Sequence, residues 1–187
     1  MATFDVTSAS NTFRAAQATG LFVSAAAAGA GLGLSVFTVP RLLEAPPDLM
    51  LRQWKRTFDR GKPVFIASGV VSALSYGYVY YAAQRSLASS HVLVASRLPL
   101  LAAGLSLAVM PYTLLFVLPT NKKLEARVAQ VAEAEEKRTA GGSAGTKTFT
   151  AEEEESAKQL VDRWGLLNLG RPLLMAAAAF VGLASFL

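Results

Sequence analysis

Four stretches of this chain of 187 residues carry no charged side chain: 15–40, 63–84, 98–121 and 172–187. At about 1.5 Å per helical residue, the first three each exceed the roughly 30 Å hydrocarbon core of a bilayer. Charged residues make up only 17% of the sequence, against about 25% for an ordinary soluble domain. The chain therefore reads as all-α, a polytopic membrane protein built on a four-transmembrane-helix bundle. An ordinary soluble enzyme is excluded. So is a nucleic-acid-binding reading of the basic isoelectric point near 9.7, because the Lys and Arg residues flank apolar spans. A polar membrane surface is the partner that this charge pattern fits.

The sequence has no cysteine and a single histidine, His91. Disulfides, thiolate nucleophiles, iron–sulfur clusters and a multi-histidine metal site are thereby removed. The spans are expected at about 17–39, 63–83, 98–118 and 167–187. The apolar run after Arg14 is longer than a signal-peptide core and is read as the first membrane helix. The last window is short, so its helix is expected to begin near Asn168. That leaves Arg171 about one turn inside the boundary, where an arginine must snorkel, pair or face a polar cavity.

Four spans put both ends of the chain on one side. The stretch 40–62 carries Arg41, Arg52, Lys55, Arg56, Arg60 and Lys62. The loop after the third span carries Lys122, Lys123, Arg127, Lys137, Arg138, Lys147, Lys158, Arg163 and Arg171. The opposite side has Arg14, Arg85 and Arg97. This asymmetry predicts cytoplasmic basic loops and non-cytoplasmic termini.

Within the first span, Ala25, Gly29 and Gly33 form a small-residue stripe, which predicts close helix packing inside the bundle, with a homodimer seam as the alternative. Ala73 and Gly77 repeat the pattern more weakly in the second span. Tyr76, Tyr78, Tyr80 and Tyr81 stand where an aromatic belt is expected. In the loop at 40–62, Asp48 is expected to cap a short basic amphipathic helix bearing Leu51, Trp54 and Phe58, stopped by Gly61 and Pro63. That helix either anchors on the membrane surface or covers a membrane-facing pocket. The charged loop at 119–165 is expected to continue the third helix to about Arg138. A glycine-rich connector at 139–149 follows, and then a helix opened by a capping box at Thr150 and Glu153.

Trp164, Asn168 and Arg171 fall on one helical face amid apolar and small neighbours. Thr120 and Asn121 lie at the same boundary on the third helix. Polar residues in such a place need partners. They either cap and anchor helices, or form a ligand site with Trp164 as a stacking wall and Arg171 as an anion partner. His91 reads as an ordinary loop residue at the far boundary. Asp162 lies near the right boundary but points away from the Trp164 face.

The segment Met110-Pro111-Tyr112-Thr113, followed by Pro119-Thr120-Asn121-Lys122-Lys123-Leu124, resembles the pattern of the anthrone oxygenase-like membrane proteins. So does Trp164-Gly165-Leu166-Leu167-Asn168-Leu169-Gly170-Arg171, together with Trp54 and Gly61 upstream. The resemblance covers most of the chain. It implies oxidation of an anthrone-type aromatic by O2 without a bound cofactor, within fungal aromatic polyketide pathways, and an endomembrane such as the endoplasmic reticulum. Under it, Arg171, Asn168 and Asn121 are the catalytic candidates. Trp164, Thr120, Thr113 and Trp54 would contact the substrate. The competing expectation is a non-catalytic tetraspan scaffold or lipid-binding protein, whose polar boundary residues only hold helices together.

Overall fold

The computed structural model describes residues 6–87, 97–141 and 149–186, and every described element is helical. α1 (Val6–Gly33) passes through a π-helical turn (Leu34–Thr38) into the short α2 (Val39–Leu43). α3 (Pro47–Leu87) and α4 (Leu98–Tyr112) follow, then a second π turn (Thr113–Val117) leading into α5 (Leu118–Gly141). α6 (Ala151–Asn168) and α7 (Gly170–Ala184) complete the order. Four helical stretches are long and apolar enough to cross a membrane: Asn11–Leu43, Pro47–Arg85, Leu98–Glu136 and Ala151–Ala184. This is an integral, multi-pass membrane protein. His91 and the connector at 142–148 lie outside the described residues; α5 itself runs on past Arg138 to Gly141.

Each π turn ends two residues before a proline, Pro40 or Pro119. Proline lacks an N–H, and in a regular α-helix its ring presses on the carbonyl four residues back. Here the helix widens just ahead of that ring. Val39 donates its N–H to the carbonyl of Leu34, and Leu118 donates to Thr113, each five residues back. Such π turns are rare and cost hydrogen-bond geometry, so they occur where a register shift is useful. The third interruption is at Leu169, whose N–H bonds back only to the Leu166 carbonyl, at 3.1 Å. Pro172 lies just downstream and cannot donate to Asn168.

The chain forms two compact units. The first comprises Met1–Ala30, Val64–Pro111 and Arg171–Leu187. Its packing centres on Tyr76, fully buried and hydrogen-bonded through its hydroxyl to Ser24 Oγ at 2.9 Å. Gly20 and Gly182 flank this ring. A Cβ at Gly20 would lie 3.0 Å from Tyr76 Cε1, and one at Gly182 would overlap the phenol outright. Ala27, Ala28, Val109 and Met175 form a second patch of this interior.

Five expectations change here. The Ala25/Gly29 face of α1 points outward, and a Cβ at Gly29 or Gly33 would meet nothing within 4 Å. The packed face is the one carrying Gly20, Ser24, Ala27 and Ala28. Residues 25–28 are all alanine, so size did not select the face; the Ser24 hydroxyl did, because in an apolar interior it needs Tyr76. For the same reason Tyr76 leaves the aromatic belt, while Tyr78 and Tyr81 stay exposed. Gly77, likewise, meets no neighbour. The basic amphipathic stretch does not stop at Gly61 and Pro63 but runs on in α3, which holds Pro63 in its interior. A proline there forfeits one backbone bond, a loss that membrane-crossing helices commonly tolerate. Finally, Asp48 is not the cap. Pro47 opens α3, where its missing N–H costs nothing, and Asp48 in the first turn pairs with Arg52 at 2.8 Å.

The second unit comprises Gly31–Pro63 and Tyr112–Gly170. Its core gathers Met50, Leu51 and Trp54 from α3, Val39 and Leu42 from α2, Leu124 and Val131 from α5, and Ala157, Val161 and Trp164 from α6. The apolar face of the amphipathic stretch is thus buried in protein. Burying an aromatic or leucine side chain of this kind contributes on the order of 2 kcal/mol. Arg52 also reaches Glu135 at 2.8 Å, tying the start of α3 to the far end of α5. The capping box at Thr150 and Glu153 is present in both directions and fixes where α6 begins.

Candidate functional site

Trp54 and Trp164 meet in the core of the second unit with ring centroids 5.9 Å apart and planes at 86°. Edge-to-face contact of this kind is favoured by the quadrupoles of the two rings. Phe58 stacks on Trp54 with ring centroids 5.2 Å apart. Gly165 makes the arrangement possible, because α2 approaches so closely that a Cβ there would lie 2.8 Å from Val39 Cγ1.

Both tryptophans are at most 1% exposed, and neither indole Nε1 has a hydrogen-bond partner. Asn121 and Asn168 are buried as well, and each has an unpartnered Oδ1. Asn121 lies one turn from Val117 and Leu124, members of the same core, and Asn168 lies one turn from Trp164. With Arg52 Nε, the unit thus buries three unmatched N–H donors and two unmatched amide acceptors. Leaving such a group without a partner costs about 1–3 kcal/mol. Each such group calls for an explanation, and a bound ligand is one.

Asn168 is held by its other end. Its Nδ2 donates to Ser35 Oγ at 3.2 Å, and Ser35 lies in the first π turn. Next to it, the Tyr112 hydroxyl donates to the Leu167 carbonyl at 2.8 Å. Tyr112 stands immediately before the second π turn, and its ring fills the space that a side chain at Gly170 would need. Both widened turns therefore grip the segment 167–170. Sequence reasoning missed Ser35 and the roles of Tyr112 and Gly170. The prolines at 40 and 119 were the signal that could have revealed the turns.

Of the residues singled out from sequence, Trp54, Trp164, Asn121, Asn168 and Thr120 are all buried in this unit. Thr113 begins the second π turn and is half-buried. Trp164 is edge-on to Trp54 and offers no open face for stacking. Arg171 belongs to the first unit, where its guanidinium lies 5.6 Å over the Phe65 ring. Asp162 is exposed, as its position on the helix predicts. A ligand reaches the indole and amide atoms only by displacing side chains around them. Among the described residues, no three His, Cys, Asp or Glu side chains gather where they could hold one metal ion.

The anthrone oxygenase family profile matches residues 54–181, which contain both tryptophans, both asparagines and Thr120 but not the half-buried Ser35. An anthrone oxygenase of Claviceps purpurea is 30% identical over 169 residues, covering 89% of this chain and 83% of the relative. The monooxygenase hypC of Dothistroma septosporum is 30% identical over 170 residues, covering 89% and 78%. The anthrone oxygenase encC of Aspergillus fumigatus is 28% identical over 159 residues, covering 80% of each chain. No solved structure matches the chain. With the matched segment spanning the tryptophans, the amides and the third and fourth membrane helices, the protein belongs to the anthrone oxygenase family and is a membrane-embedded oxygenase-like protein.

Proposed function

We propose that this protein oxidises a flat, hydrophobic anthrone-type substrate with O2, and that the second unit holds the substrate among Trp54, Trp164, Asn121 and Asn168, with Thr113 and Thr120 beside them. The observation that carries the proposal is the set of unpartnered indole N–H groups and amide oxygens buried in one unit. An anthrone offers their complements, a carbonyl that accepts and phenolic hydroxyls that donate. The indole N–H groups suit the carbonyl oxygen, which gains negative charge as the reaction proceeds. The amide oxygens suit the hydroxyls.

The chemistry closes without an external reductant. Loss of a methylene proton gives an enolate, which passes an electron to O2. Recombination forms a carbon–oxygen bond at the former methylene carbon. Loss of the second hydrogen with cleavage of the oxygen–oxygen bond leaves a quinone carbonyl and water. One oxygen atom enters the product and the other leaves as water, so the substrate supplies every electron. The protein contributes a dry environment and fixed donors. No bound cofactor is part of this route. Arg171 is proposed as an anion partner on its chemistry alone, a guanidinium on a largely apolar helix.

The basic loops are proposed to be cytoplasmic, with both termini on the other side of an endomembrane such as the endoplasmic reticulum. Self-association is proposed to use the outward Ala25 and Gly29 face. The test is an oxidation under oxygen-18 gas by membranes containing the full chain, with chelator present. One labelled oxygen per quinone, formed above the spontaneous rate, is expected. Product formation at only the spontaneous rate would overturn the reading.

A further inference from the structure

α5 and α6 present matching polar faces to one another. Lys123, Arg127 and Gln130 repeat at helical spacing on α5, and Ser156, Gln159 and Arg163 repeat the same spacing on α6. Together they line a cleft of about 450 Å³. Ala126 and Leu160 are the apolar residues of its lining. Three cations and two amides line it, with no carboxylate among the lining residues. The contact within it is weak: Arg127 Nη2 donates to Ser156 Oγ at 3.4 Å. Neither Lys123 nor Arg163 pairs with a carboxylate among the described residues, although acids are plentiful nearby on both helices.

Nothing in the proposed oxidation uses this cleft; of its lining residues only Leu160 packs against the core that holds the two tryptophans. Its position in the sequence is informative. Lys123 follows the uncharged stretch 98–121 by two residues, and Arg163 lies five residues before Asn168, near which the last membrane helix is expected to begin. Two cations are therefore carried at the membrane ends of the helices, with hydrogen-bond donors further out. Basic clefts at that level recognise phosphate-bearing lipid headgroups, where arginine supplies paired donors to the phosphate oxygens. We propose that the cleft between α5 and α6 binds a phosphate group, supplied by the headgroup of an anionic membrane lipid. The same chemistry would accept a free phosphate.

The test places the full-length protein in phosphatidylcholine nanodiscs carrying a trace of spin-labelled phosphatidic acid and reads the motionally restricted fraction. Spin-labelled phosphatidylcholine gives the background. The protein is expected to restrict phosphatidic acid preferentially, with the preference falling about fivefold for each charge removed in K123Q, R127Q and R163Q. The cleft is open to solvent, so the triple variant is expected to keep its helicity by circular dichroism; should it not, R163E provides the reversal in a single substitution. Inorganic phosphate is titrated as a second arm. Displacement of the lipid at millimolar phosphate would support the site and assign it to a soluble ligand, whereas no displacement assigns it to lipid. Equal restriction of both labelled lipids, or an unchanged preference in a folded triple variant, would overturn the proposal. None of these readouts depends on turnover.

Discussion

The side-chain amide of Asn168 donates to Ser35 Oγ at 3.2 Å, joining the end of α6 to the first π turn. This bond leaves Asn168 Oδ1 buried and unmatched, and so fixes which atom of the amide faces the proposed substrate. Ser35→Ala removes the acceptor while leaving the backbone free to keep its turn. The expected result is a stability loss of about 1 kcal/mol, read as a lowered Tm in detergent. Turnover should fall about tenfold as the amide loses its orientation. Ser35→Thr, which retains the hydroxyl, should restore most of both.

Gly170 is expected to be intolerant for a steric reason. A methyl group there would overlap the Tyr112 ring, so Gly170→Ala should cost about 1–3 kcal/mol and displace the tyrosine from the Leu167 carbonyl. Tyr112→Leu combined with Gly170→Ala should be less damaging than the sum of the single changes, because the first removes what the second collides with. Gly29→Ala, on the outward face of α1, should change Tm by the equivalent of about 0.5 kcal/mol or less. Thermal unfolding of the four proteins checks the set.

Arg171→Ala is expected to abolish turnover with folded protein retained, and Arg171→Lys to recover part of it by keeping the charge. Initial rates normalised to folded protein are the measure. Unchanged turnover in the alanine variant would remove Arg171 from the mechanism and leave the aromatic–amide core as the proposed site.

Much of this architecture was legible because lipid imposes a coarse, local rule: uncharged runs of sufficient length become helices. The capping box at Thr150 and Glu153 was equally local. The shared face of Trp164 and Asn168 followed from helical spacing alone. What escaped the sequence depended on choices between near-equivalent options. A proline can end a helix, sit inside one or widen the turn before it, and Pro63, Pro40 and Pro119 did not announce which. Ser35 is a lone serine among apolar residues, marked only by a partner 133 positions away. The alanine-rich part of α1 offers a small residue on every face, so only the distant Tyr76 decides which face packs. Arg171 fell on the predicted helical face, but Leu169 interrupts the helix that the projection assumed to be continuous.

The proposed function has the buried indole N–H groups unmatched because they serve a ligand. Trp164→Phe tests it most directly, since it removes the N–H and keeps an aromatic ring in the core. Membranes containing the wild type and the variant at equal folded protein would be compared for anthraquinone formation from an emodin-anthrone-type substrate in air. Expected are wild-type turnover above the spontaneous rate, a drop of about a hundredfold in Trp164→Phe, and a Tm within a few degrees of wild type. Wild-type-like turnover in a folded Trp164→Phe protein would contradict it.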